Sequence, residues 1–167
     1  MSRFGHGLNA TIVAIITLTI ALLVAPRLIV NVTPSVPIGL YWSHRRAPVR
    51  GDFVLIAPPP NLRDFAVARS YLRLDHNLLK WVAAIGGDRV CRHGFSVLIN
   101  SHSRVWARRN DASGRALPVW SGCRQLTGDE LLILGTHASS FDSRYFGPIS
   151  RSDVIAVASP LWVWRAD

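Results

Sequence analysis

Lys80 is the only lysine in this chain of 167 residues, although lysine and arginine together number 19. It lies inside the apolar run LLKWVAAI, residues 78–85. Burial in such a run disfavours the ammonium form and lowers a lysine pKa by up to about 3–5 pH units. The neutral amine that results is a usable general base at physiological pH. Arginine cannot take that role, because its guanidinium does not deprotonate in proteins. A base needs a nucleophile, and Ser35 is the leading candidate. It sits between Pro34 and Val36-Pro37, in a stiff segment that fixes its hydroxyl in one direction. A third stretch, SSFDSRYFG (139–147), gathers hydroxyls, one carboxylate and one arginine. On a strand, Asp142 and Arg144 share a face and pair, and Ser140 joins them. A Ser-His-Asp arrangement from His137 and Asp142 is the weaker reading, since no nucleophile elbow accompanies them.

Short strands are expected to hold these groups in place. Residues 31–42, NVTPSVPIGLYW, are punctuated by Pro34, Pro37 and Gly39 and cannot be helical. GDFVLIAPPP (51–60) reads as a strand stopped by three prolines, and 78–85 as a buried strand ended by Gly86-Gly87. RVCRH, SVLIN, ELLILG and DVIAVASPLWVW continue the pattern. The one helix expected after residue 26 is NLRDFAVARSYLRL (61–74), with apolar Leu62, Phe65, Ala66, Tyr71 and Leu72. The fold class is therefore mainly β.

Hydrophobic residues make up 49% of the chain and the mean hydropathy is +0.23. The excess is concentrated in residues 7–25, an uncharged stretch of bilayer-spanning length. It is longer than the apolar core of a cleaved signal peptide and no A-x-A site follows, so it reads as a retained anchor. The domains are then a short N-terminus (1–6), a transmembrane anchor (7–25) and a domain over 26–167. Arg27, Arg45, Arg46 and Arg50 make the downstream flank the more basic one, which by itself argues for a cytoplasmic C-terminal part. The net charge of +9 suits an anionic lipid bilayer. The arginines are scattered, with no dense basic helix or stacking platform, so no nucleic-acid partner is expected. Cys91 and Cys123 are compatible with either a disulfide or two free thiols. Cys91 and His93 lack paired ligand spacing, and no metal or organic cofactor is implied.

PSVPIGLYW, RGDFVLIAPP, LLKWVAAIGGD and FDSRYFGPI, in that order behind an anchor, resemble the type-1 signal peptidases, membrane-bound serine/lysine peptidases. Within that superfamily the chain is most similar to the TraF-type conjugative transfer branch. The resemblance covers nearly the whole chain. It implies a signal-peptidase-like, β-rich catalytic domain behind a single N-terminal transmembrane helix. It also implies Ser35 as nucleophile, Lys80 as base, and Ser140 as the hydroxyl orienting the lysine amine. Thr33 falls at an oxyanion-donor position, and Asp142 and Arg144 at the pair that braces the site. Departures are Trp81 where a basic residue is usual, Gly86 in place of proline in the GGD turn, and a shortened SVP box.

The implied location is the inner membrane, single-pass, with the catalytic domain on the periplasmic side, against the flank charges. The implied reaction removes a leader or C-terminal segment from a membrane-tethered precursor such as a pilin, with water or the substrate's own amine ending it. General leader-peptidase activity, or an inactive scaffold of a secretion apparatus, are the alternative functions. Trp42, Trp162 and Trp164 suggest a membrane-facing rim, with core strand positions as the other reading for the last two.

Overall fold

The computed structural model describes residues 12–19 and 27–164. Residues 12–19 are helical. They form the middle of the apolar stretch 7–25, and the rest of the expected anchor lies outside the described residues. Among the described residues no helix is long and apolar enough to cross a membrane.

The body of the protein is mainly β, as its short apolar runs require. A seven-stranded sheet has the order β1-β2-β11-β3-β4-β9-β10. Its strands are β1 (Leu28–Asn31), β2 (Gly39–His44), β3 (Phe53–Ile56), β4 (Leu78–Ile85), β9 (Glu130–Leu134), β10 (Ile149–Ser150) and β11 (Val154–Val163). A four-stranded sheet, β7-β6-β5-β8, comprises β5 (Arg89–His93), β6 (Ser96–Ile99), β7 (Ser103–Trp106) and β8 (Gly122–Gln125). Pairing is antiparallel throughout.

Strand β4 lies between β3 and β9 and is buried along most of its length. That explains a nearly unbroken apolar sequence instead of an alternating one. Its register with β9 shifts between Val82 and Ala84, a bulge of the kind that bends a strand. The chain then turns at Gly86-Gly87 into β5. Asp88 closes this turn by accepting the Ile85 N–H at 2.8 Å and pairing with Arg50 at 2.6 Å. Val54, Ile56, Val82, Leu131, Ile133 and Val157 form one core cluster, and residues of both sheets, including Ala84, Val90, Val97 and Leu132, form another.

Two local expectations differ from the structure. The helix expected over 61–74 is α1 (Pro60–Ala68). Pro60 in its first turn has no N–H to lose there, and at Ser70 the backbone turns to a φ of 61°. Tyr71 and Leu72 still pack with Phe65, but from a loop. The strand geometry considered for 139–147 is replaced by a one-turn helix, α2 (Ser143–Phe146). Asp142 is its N-cap, accepting the Arg144 N–H at 3.0 Å. The cap satisfies an N–H that a helix start leaves free, so Asp142 and Arg144 meet across a cap and not along a strand face.

Cys91 and Cys123 lie directly opposite each other on β5 and β8 and are disulfide-bonded. Closing this loop constrains the unfolded chain by about 3–4 kcal/mol in loop-closure entropy.

Strand β2 leaves the Pro-rich segment at Gly39, where β11 crosses closely. A Cβ there would stand 2.1 Å from the Trp162 carbonyl oxygen and 2.8 Å from the Val163 Cα. Both obstacles are backbone and cannot swing away. Gly39→Ala should therefore lower the unfolding free energy by about 3 kcal/mol, measured by urea denaturation. An unchanged midpoint would show that β2 and β11 do not approach this closely.

Candidate active site

Thr33 and Ser35 stand on the segment between β1 and β2, and Asn31 shapes that segment. Its buried side-chain amide donates to the carbonyls of Thr33, Val36 and Pro37 at 2.8, 3.0 and 3.0 Å. Its Oδ1 accepts the Thr33 hydroxyl at 3.0 Å. Proline gives this segment stiffness, and Asn31 satisfies the carbonyls that a non-repetitive segment leaves without partners. Tyr41 adds a hydrogen bond to the Pro37 carbonyl at 2.5 Å. The Ser35 hydroxyl lies 3.1 Å from the Thr33 hydroxyl and 3.4 Å from the Leu79 carbonyl, next to Lys80.

Lys80 enters from β4. Its side chain is 3% exposed, and its Nζ donates to Ser140 Oγ at 2.8 Å. Burial, the largest influence, pushes its pKa down from about 10.5 to about 8. Asp142 pulls the value back up, and Arg144 opposes Asp142. Ser35 and Lys80 line one cavity of about 690 Å³, together with Thr33, Leu79, Ser140 and Tyr145. Among the described residues no hydrogen bond joins Lys80 to Ser35; such bonds are often long without substrate.

The third element is the turn after β9. Asp142 is fully buried and Arg144 nearly so. Arg144 grips the carboxylate in a fork, Nε to Oδ1 at 2.8 Å and Nη2 to Oδ2 at 2.6 Å. It also donates to the carbonyls of His137, Ala138 and Ser140 at 3.0, 3.2 and 3.2 Å. Asp142 in turn accepts the Gly135 N–H at 2.7 Å. The pair thus folds residues 135–144 around itself and presents Ser140 to Lys80. Gly135 is obligatory here, since a Cβ would fall 2.0 Å from Ser140 Oγ and 2.9 Å from the Ser35 carbonyl oxygen.

All six residues singled out in the sequence, Thr33, Ser35, Lys80, Ser140, Asp142 and Arg144, come together around this cavity or directly behind it. The Ser-His-Asp arrangement does not form among the described residues. His137 Nδ1 contacts Ser139 Oγ at 2.6 Å, while the Asp142 oxygens are taken by Arg144 and Gly135.

Sequence reasoning passed over Asn31, Gly135 and Arg92. Asn31 had a signal, a polar residue just ahead of a Pro-broken hydroxyl segment. Arg92 had none, being one arginine among many. Its side chain is 1% exposed and donates to the carbonyls of Gly94, Pro118 and Arg144. It thereby ties β5 of the small sheet to α2.

Residues 5–164 match the family described as signal peptidase, peptidase S26. A plasmid transfer protein TraF of Escherichia coli is 34% identical over 148 residues, covering 81% of this chain and 82% of that protein. A conjugal transfer protein TraF of Agrobacterium fabrum is 37% identical over 146 residues, with the same coverage of each chain. A solved signal peptidase I from Enterococcus faecalis is similar at TM-score 0.39 and 18% identity, over 67% of this chain and 97% of that one.

The depressed Lys80 pKa has a consequence for stability. Below about 8 the folded and unfolded chains both hold the proton, and the buried charge weakens the fold in full. That penalty fades as pH rises toward 10.5, where the unfolded lysine also loses its proton. Lys80→Met should therefore be more stable than wild type at pH 7, by roughly 1–3 kcal/mol. The gap should close toward pH 10.5. Urea unfolding at the two pH values measures it, and a less stable variant at pH 7 would contradict the buried-charge account.

Proposed function

The chain belongs to the signal peptidase family, peptidase S26, with TraF conjugal transfer proteins among its homologues, and we propose that it is a membrane-anchored serine endopeptidase using Ser35 and Lys80. The observation that carries this reading is the buried Lys80 amine, its pKa lowered to about 8, opening on the same cavity as Ser35.

Neutral Lys80 takes the proton of Ser35 as the serine oxygen attacks the scissile carbonyl. Ser140 holds the amine in position through its hydrogen bond to Nζ. The Ser35 N–H and the Thr33 hydroxyl donate to the oxyanion. In the resting state the Thr33 hydroxyl is directed at Asn31 Oδ1, so it turns from Asn31 to the oxyanion as charge develops. Protonated Lys80 then passes its proton to the leaving amine. Water resolves the acyl-enzyme to a linear product; the substrate's own N-terminal amine, taking the same step, gives a ring.

The substrate we assign is a membrane-tethered precursor, a pilin or another secreted protein of conjugative transfer. It loses a leader or C-terminal segment. Residues 7–25 act as the anchor in the inner membrane, with 26–167 as the peptidase domain on the periplasmic side. Ser35 lies ten residues beyond Ala25, at most about 35 Å of extended chain. An exposed apolar rim supports a catalytic domain resting on the bilayer. It comprises Leu161, Trp162 and Trp164 at the end of β11, and Val30 and Val32 near β1. The two tryptophans are on the surface and not in the core.

Co-expression with candidate pilin precursors, read by mass spectrometry, tests the reading. Wild type should process a precursor, whereas Ser35→Ala and folded Lys80→Arg should accumulate it uncut. Processing by Lys80→Arg at the wild-type rate would overturn the lysine base, and activity persisting in Ser35→Ala would overturn the nucleophile. Thr33→Val should lower kcat by about 10²–10³-fold, as loss of one oxyanion donor does, with little change in Tm. A large fall in Tm with kcat retained would make Thr33 a structural residue only.

A further inference from the structure

We propose that Cys91, His93 and Cys123 form a redox-gated site for a borderline-soft divalent cation of the Zn²⁺ class. The sequence hides this site, because Cys91 and His93 alone lack a paired ligand motif. Sheet pairing supplies the third group. Cys91 and His93 are two apart on β5 and so share a face. Cys123 sits directly opposite Cys91 on β8. The ligand atoms of all three lie within 4.8 Å of one another, and His93 Nε2 is 3.6 Å from Cys123 Sγ. Two thiolates and an imidazole are the donor set that selects zinc, and three protein ligands leave a fourth position for water.

A second observation comes from the neighbouring strand. Ser96 is the register partner of His93 on β6. Its hydroxyl is buried and has no hydrogen-bond partner among the described residues. Directly opposed side chains on antiparallel strands have Cβ atoms about 4.5–5.5 Å apart. Ser96 therefore neighbours His93 without bonding to it in the disulfide-bonded form, and on cation binding its free Oγ would accept the Nδ1–H of His93. That bond would fix the tautomer whose Nε2 lone pair faces Cys123, the second-layer arrangement that orients histidine ligands in metal sites.

In the oxidised protein the Cys91–Cys123 bond withholds both sulfurs. A dithiol reductant opens the site: it delivers two electrons and two protons, yields two thiols and leaves as its own disulfide. Cation binding then releases both thiol protons to solvent, so two thiolates balance the dication. Cys123 is exposed and Cys91 half-buried, so the bond lies on the solvent side of the small sheet. The β5–β8 pair is thereby cross-linked in either state, by a covalent bond or a coordinate one. Arg92, next to Cys91, ties β5 to the Arg144 carbonyl, so the cross-link supports the wall behind the cavity in both states. The inference does not depend on the peptidase reading.

The test uses the full chain, purified in detergent, reduced with a phosphine, desalted without oxygen, and titrated with Zn²⁺ against a chromogenic chelator. Circular dichroism before and after reduction confirms that the fold persists. The reduced protein should bind one Zn²⁺ per chain, while the oxidised protein should not. Co²⁺ in its place should give a thiolate-to-metal charge-transfer band. His93→Ala should weaken binding by 10-fold or more, and Ser96→Ala, which leaves all three ligands present, by about 10-fold. Zn²⁺ binding equal in the reduced and oxidised forms, or unchanged in His93→Ala, would overturn the site. Wild-type affinity in Ser96→Ala would overturn the histidine-fixing role of Ser96.

Discussion

A lysine ammonium taken out of water loses its hydration, and the rest of the site is arranged around that fact. Lys80 is the third residue of β4, with β3 and β9 on either side. Its position is fixed by a strand that is apolar nearly throughout. The strand cannot slip by one residue without turning Lys80 away from the cavity. The fold therefore keeps one polar atom in an apolar wall, gives it one hydroxyl partner, and weakens its hold on a proton. The same burial that weakens the fold near neutral pH lowers the lysine pKa to about 8, which is what the proposed base requires.

The charges nearby keep that balance. An isolated buried carboxylate beside Lys80 would restore the ammonium form. Asp142 does not act alone, because Arg144 grips it in a two-bond fork. The guanidinium opposes the carboxylate at Lys80 and also gathers three backbone carbonyls of the turn that carries Ser140. Breaking such a buried pair from one side leaves an uncompensated charge, at a cost of about 3–5 kcal/mol. The pair is thus the mechanical brace of the turn, and its guanidinium offsets part of the upward pull that Asp142 exerts on the lysine. Arg92 extends the brace into the small sheet, so the two sheets meet behind the cavity through an arginine as well as through apolar packing.

Much of this was legible in the sequence. The strand over 78–85 and the strand RVCRH carry the boundaries expected of them, because a buried apolar run and a Gly-Gly turn leave little choice. The lone lysine stood out by amino-acid choice, and its burial followed from the apolar run around it. Other features required three dimensions. The helix over 61–74 was overextended, since periodicity continues through Tyr71 and Leu72 although the backbone has already turned at Ser70. The Asp142–Arg144 pairing was anticipated, but its geometry was not, because an Asp that caps a single helical turn and one that lies on a strand look alike over so short a stretch. Asn31 and Gly135 act through the shape of neighbouring backbone; Asn31 left a trace in its place ahead of the Pro-broken segment, whereas Gly135 left none. The joining of Cys91 to Cys123 depends on which strand pairs with β5, again invisible along the chain.

Because the chain has one lysine, uniform lysine labelling with ¹⁵N gives a single side-chain amine signal, and its pH titration reports Lys80 directly. The account predicts a midpoint near 8 in the folded protein, moving to the ordinary lysine value of about 10.5 on unfolding. A folded-state midpoint at 10.5 would contradict it, for the amine would then be a solvated cation and no base at neutral pH.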